Sequence, residues 1–558
     1  MHHPSPARFV RSVIASIAFA VAASAAHAQA PLPGEPAGRG TYQEFQALFA
    51  EFIDWRTPEP GADGLVDYGP KAVAERRKEM KRLQARLADM NVAAWPRAQK
   101  VDYLVARAHF DETDFILNVT QPWKRDPHFY ADPLMQIAFT NLPVEGAALE
   151  KLKADLASVP AVVAAAKRNL DGVIGDNADF ALFNLSNSDG VNHMHPYRAT
   201  PPAGTIGWYE DLLARADAQP ELKPAIAAAL EAVKSYRDWL TENRAQFTAL
   251  NGVGEKHLDW YIKHVKMLPY TSDEVLELAE MERDRLYTYL EIERHKNRDL
   301  PEIALPKSRE EYEARVAATD KRVRDFLVRE EFITIPDFVP EDWREVGFNV
   351  PWIVRDTPPN FWEQVQYRDP MPDHLHAVIP GHRFDGMIEK NMNHPIRKYS
   401  FGDRREGWGV YLEEAAMQAG IIDDLPRVRE LIYLFGHWRA VRTMGDVLNQ
   451  TNVLTHPETV DYWMSWTPML DRGVALKYSY LRATPATTLH YTMGTLQMRK
   501  LFAERKHQLG DKFVLKDFHD EFMSFGRIPV ALIRYEMTGA DEDVREFWRR
   551  TPLSELGN

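Results

Sequence analysis

Apolar residues recur at helical spacing through most of the chain. Val73, Met80, Leu83, Leu87 and Met90 fall at steps of seven, three, four and three, which places them on one stripe of an amphipathic helix. Similar patterns run through 147–170, 206–250, 272–297 and 308–329. Thr271 followed by Glu274 has the spacing of a capping box at the head of one of them. Strand–helix alternation, a glycine-rich phosphate loop and internal repeats are all missing from the pattern. Residues 331–380 break the helical period. "FITIPDFVP", "VGFNVPWIV" and "DTPPNFWEQVQ" are rich in proline, aromatic and β-branched residues, which predicts short strands and turns. Helical periodicity returns from 382. The expected architecture is mainly α: one large helical domain over 41–558, with a small β element near 331–380.

The amino terminus changes the picture. "MHHPSPARFVR" carries Arg8 and Arg11, an apolar stretch follows from Val13 to Ala26, and "AHA" precedes Gln29. Basic residues, a short apolar run and an A-x-A site predict a signal peptide over 1–28, cut after Ala28. The run is shorter than the ~20 residues a membrane span needs. The Pro- and Gly-rich "QAPLPGEPAGRG" (29–40) then predicts a disordered mature amino terminus. The expected location is periplasmic or secreted, with no membrane span once the signal is removed.

The 558 residues contain no cysteine, so the folded protein rests on core burial rather than disulfides, and any metal ligands are His, Asp or Glu. The formal net charge of −13, without a Lys/Arg block, argues against nucleic acid as a partner.

The densest candidate chemistry is "DHLHAVIPGHRFDG", residues 373–386. If His374–Ile379 is extended, His374 and His376 point to one side. If a helix begins near His382, then His382, Asp385 and Glu389 share a face. In one straight helix His376 and His382 would face apart, so a shared metal requires the chain to bend at Pro380–Gly381. "REGWGVYLEEAAMQAG" follows as a helix with Trp408, Leu412, Ala415 and Ala419 on its apolar face and Glu406 and Glu413 on another. A glutamate 20–30 residues after a histidine pair is a usual third ligand, leaving one position for water. The spacing has plain readings too. The chain holds 19 histidines, enough for chance clustering, and Glu406 suits a helix amino terminus. "NHMHP", with His193 and His195, reads first as a polar loop.

Taken together, "HAVIPGH" and "EGWGVYLEE" resemble the bacterial uncharacterised-domain family number 885, of the zincin-like metallopeptidase clan. "GVGEKHLDWYIKHVKMLPYTSDEVLELA" (252–279), "RTMGD" ending at Asp446, "YLRATPATTLHYTMG" (480–494) and "FHDEFMSFGRIPVALI" (518–533) extend the resemblance over most of the chain. It implies a helical zincin-like body with a deep cleft and metal-assisted hydrolysis of a peptide-like or other small-molecule substrate. The matching positions make His376, His382 and Glu406 the metal ligands, with zinc the expected divalent ion. Tyr480 and Tyr491 match tyrosines that would steady an oxyanion or a substrate carboxylate.

Four positions depart from the family's pattern: Ala377 stands where its general-base glutamate belongs, Asp385 replaces a glutamine, Gln450 a histidine and Ser479 an arginine. Loss of a general base commonly costs a factor of roughly 10² to 10⁴. Asp385 and His374 are the candidate replacements, either as acid/base groups or as extra ligands. Three functional readings follow: an exported metallohydrolase with a modified site, a metal-assisted lyase or isomerase that needs no water-activating glutamate, and a silent binding protein that kept the cleft.

Overall fold

The computed structural model describes residues 31–61, 64–190, 198, 200–347, 349–354, 358–399, 401–481 and 484–557. The predicted signal peptide and the pair His193 and His195 lie outside these residues.

The fold is mainly α, as its apolar periodicity requires. The Val73 stripe is buried on the helix Pro70–Ala88. Helices Gly146–Asn169 and Lys223–Asn243 pack together in the amino-terminal half. Two long pairs build the other half. Helix α1 (Ser272–Lys296) runs along α6 (Pro426–Gln450), and α5 (Gly402–Gln418) runs along α7 (Leu489–Leu509). The capping box heads α1: Thr271 Oγ1 accepts from the Glu274 amide and the Glu274 carboxylate accepts from the Thr271 amide. Helix α6 is buried along nearly its whole length, which makes it the central rod of this half. Helices α5 and α7 cross backbone to backbone at Gly407 and Gly494. A Cβ on Gly407 would lie 2.4 Å from the Gly494 carbonyl carbon, so neither position takes a side chain.

The predicted β element does not form. Among the described residues the only β pairings are two isolated bridges, Gly40 with Met90 and Ile174 with Ala249. Residues 332–347 and 349–354 instead run over α2 (Arg309–Arg329) as irregular chain around a short helix, Trp343–Val346. Pro336, Pro340 and Pro351 lack the amide donors a ladder uses. Side chains take over part of the satisfaction: Tyr312 donates to the Val350 carbonyl, and the Tyr367 hydroxyl bridges the Ile353 amide and the Pro351 carbonyl.

The amino-terminal segment is the second correction. Of the segment 29–40, for which disorder is the expectation, residues 31–40 are described and are pinned to the body. Leu32 is buried, Glu35 forms a buried ion pair with Lys100 at 2.7 Å, and the Gly38 amide donates to Met90. Prolines lower the entropy lost on ordering such a segment, so a few anchors suffice.

Candidate metal centre

Helix α3 (Met371–Ala377) carries His376, α4 (His382–Lys390) opens on His382, and α5 carries Glu406 in its second turn. The chain turns between α3 and α4 at Pro380–Gly381, the bend a shared ligand set requires. Trp408 Nε1 holds the bend by donating to the Pro380 carbonyl at 2.9 Å. His376 Nε2 lies 3.2 Å and His382 Nε2 3.1 Å from the same oxygen, Glu406 Oε2. One donor atom from each of the three residues falls within 4.8 Å of the others. Metal bonds of about 2.0–2.1 Å at tetrahedral angles set donors roughly 3.3 Å apart. The spacing therefore fits one ion, and the donor set of two imidazoles and a carboxylate fits zinc.

The outer contacts point the same way. His376 Nδ1 lies 2.8 Å from Glu413 Oε1, and Glu413 is held by Arg439 at 2.7 Å. Arg439 Nη2 also lies 3.2 Å from the same ring nitrogen, so Glu413 and Arg439 together hold the orientation of the imidazole. The seven-residue step from Glu406 to Glu413 puts one carboxylate in the cluster and the other behind it. Between them Gly409 makes room for the imidazole: a Cβ there would sit 2.5 Å from His376 Nδ1. Burial raises the Glu406 carboxyl, but the two imidazoles outweigh it and hold the group well below the ordinary carboxylate range. Burial pushes the His382 ring down, whereas at His376 the carboxylates of Glu406 and Glu413 outweigh burial and raise it. Glu413→Gln is expected to weaken zinc affinity about 10- to 100-fold, read by competition with a chromogenic chelator at a temperature where the variant remains folded.

The cluster lies on a cleft of about 290 Å³. Asp373, Ala377, Arg439, Arg442, Lys477 and Tyr491 line it with His376, His382 and Glu406. Tyr491 lies parallel to the His376 ring, with centroids 6.2 Å apart, and the Arg442 guanidinium stacks on Tyr491 at 4.5 Å. Arg439 and Arg442 were not singled out in the sequence. The signal was there, since "HWRAVRTMGD" puts two arginines at i, i+3 inside a buried apolar helix. Asp373 was also missed. Its side chain is buried, and that burial raises its carboxyl.

The other candidate residues separate from the cluster. The segment holding His374 is helical rather than extended, so His374 and His376 diverge. His374 Nε2 faces Asp320 on α2 at 3.1 Å. Asp385 is buried between Arg404 at 3.0 Å and Arg527 at 3.2 Å, and neither it nor His374 lines the cleft. Tyr480 falls on the helix Arg472–Leu481, but its side chain is outside the described residues. Of the four departures from the family pattern only Ala377 lines the cleft. Gln450 is buried, and its carbonyl accepts from the Gly254 amide; Ser479 hydrogen-bonds His456 Nδ1 at 2.8 Å.

No helix among the described residues is long and apolar enough to cross a membrane. The chain is similar in fold to two solved structures. One is described as a "putative lipoprotein of unknown function" from Shewanella oneidensis. It has a TM-score of 0.68 and 17% identity, over 89% of this chain and 100% of that one. The other is a "putative lipoprotein" from Colwellia psychrerythraea, with a TM-score of 0.63 and 14% identity, over 89% of this chain and 98% of that one. No curated protein matches. A family match covers residues 54–361 and 362–537, and the chain accordingly belongs to the family described as bacterial protein of unknown function (DUF885).

Proposed function

We propose that this protein is an exported, metal-dependent hydrolase of peptide-like bonds, zincin-like in its chemistry, with His376, His382 and Glu406 holding a divalent ion, zinc by donor type. The observation that carries this reading is the convergence of both Nε2 atoms on one Glu406 oxygen beside an open cleft. Three protein donors leave a fourth position for water or substrate. The ion would supply Lewis acidity and a lowered water pKa. The protein's own groups do the rest. Glu413 and Arg439 fix the His376 ring. The guanidinium of Arg442, held under Tyr491, offers positive charge to a developing oxyanion or to a substrate carboxylate. The amino-terminal charge, apolar and A-x-A pattern supports export, as does the fold likeness to proteins described as lipoproteins.

The test is turnover. Purified mature protein, stripped by chelator and reloaded with zinc, is assayed by mass spectrometry on a library of blocked peptides. Cleavage that is lost on stripping and regained on reloading is expected. Metal bound in one equivalent without cleavage of any peptide would return the site to the lyase or isomerase reading.

A further inference from the structure

Asp373 is the carboxylate of the cleft that its surroundings leave uncommitted. Glu406 Oε2 faces both ligand imidazoles, and Glu363 caps its own helix by accepting from the Asn360 amide at 2.9 Å. Asp373 Oδ1 accepts from Asn349 Nδ2 at 3.1 Å, while its buried Oδ2 has no hydrogen-bond partner. A buried carboxylate oxygen without a donor is costly unless something else meets it there. The site is built on one short helix. Asp373 is one turn before Ala377 on α3, so the two share a face, and both line the cleft with His376. Ala377 adds only a methyl group, leaving Asp373 as the acidic group that α3 presents to the cleft.

We propose that Asp373 is the proton-transferring carboxylate of this site, acting from one helical turn before the position where Ala377 carries none. The assignment rests on the metallohydrolase reading above. In hydrolysis Asp373 Oδ2 takes a proton from the attacking water, whose oxygen bonds to the substrate carbonyl carbon. The carbon–nitrogen bond then breaks and the same proton passes to the leaving nitrogen. No other reactant is needed.

A peptide hydroxamate tests this without turnover, because its binding to a zinc site hands a proton to the neighbouring carboxylate. Zinc content is measured by elemental mass spectrometry and hydroxamate affinity by calorimetry, on the zinc-loaded full chain. Asp373→Asn, nearly isosteric, is expected to keep zinc and lose about 10- to 100-fold in hydroxamate affinity, the worth of one charge-assisted hydrogen bond. Adding Ala377→Glu to that variant is expected to restore binding. Unchanged affinity in Asp373→Asn, a loss that Ala377→Glu does not repair, or loss of zinc from Asp373→Asn would each overturn the assignment. Parent protein that binds zinc but no hydroxamate overturns it too. A parent that binds no zinc fails one step earlier, and the hydrolase reading falls with it.

Discussion

His382→Ala and Glu406→Gln are each expected to abolish stoichiometric metal binding, against about one equivalent expected in the parent. Both residues meet at one point: His382 Nε2 lies 3.1 Å from Glu406 Oε2, and the same oxygen faces His376. A three-donor site that loses one donor keeps two, too few to compete with water for the ion. The loss in affinity should exceed the 10- to 100-fold typical of an outer-shell change. His374→Ala serves as the internal control. His374 lies on the same short helix but faces Asp320, so its variant should retain the metal. Elemental mass spectrometry after gel filtration reads all of these. Metal retained at one equivalent in both ligand variants would remove the three-residue site from consideration.

Asp385→Asn should lower the unfolding free energy by about 3–5 kcal/mol, the range for breaking a buried ion pair from one side. The Asp385 side chain is 4% exposed and that of Arg404 is fully buried, with Arg527 closing the other carboxylate oxygen at 3.2 Å. Neutralising Asp385 removes the carboxylate that accepts from the buried Arg404 guanidinium. Denaturant unfolding followed by tryptophan fluorescence would measure the loss, and metal content should persist in the folded variant. A variant as stable as the parent that nonetheless loses turnover would reinstate Asp385 as a reacting group.

These two outcomes bear on how much the sequence disclosed. Helices were legible because burial on one face forces a period near 3.6, as for Val73, Met80, Leu83 and Leu87. The bend needed between His376 and His382 was legible from Pro380–Gly381. Failures came where distant partners decide. "FITIPDFVP" has strand composition, but a strand needs a neighbour to pair with, and among the described residues none is offered. His374 was paired with His376 by assuming an extended segment, whereas α3 continues as helix to Ala377. Asp385 suggested chemistry by its position one turn after His382. Its real partners, Arg404 and Arg527, lie 19 and 142 positions away. Asp373 was passed over because orphaned burial is a property of three-dimensional packing.

The pinned amino-terminal segment has a consequence for the order of assembly. Gly34 packs against Trp548, and Tyr103 stacks against that tryptophan with centroids 5.8 Å apart. Arg107 donates to the Phe547 carbonyl at 2.6 Å, and Asp111 pairs with Arg550. These contacts join positions separated by more than 400 residues. Contacts of this separation form only once the carboxyl-terminal residues have been made. Until then the Arg107 and Asp111 charges are without their far partners. The packing of Gly34 and Tyr103 against Trp548 is therefore completed only when the last helix is present.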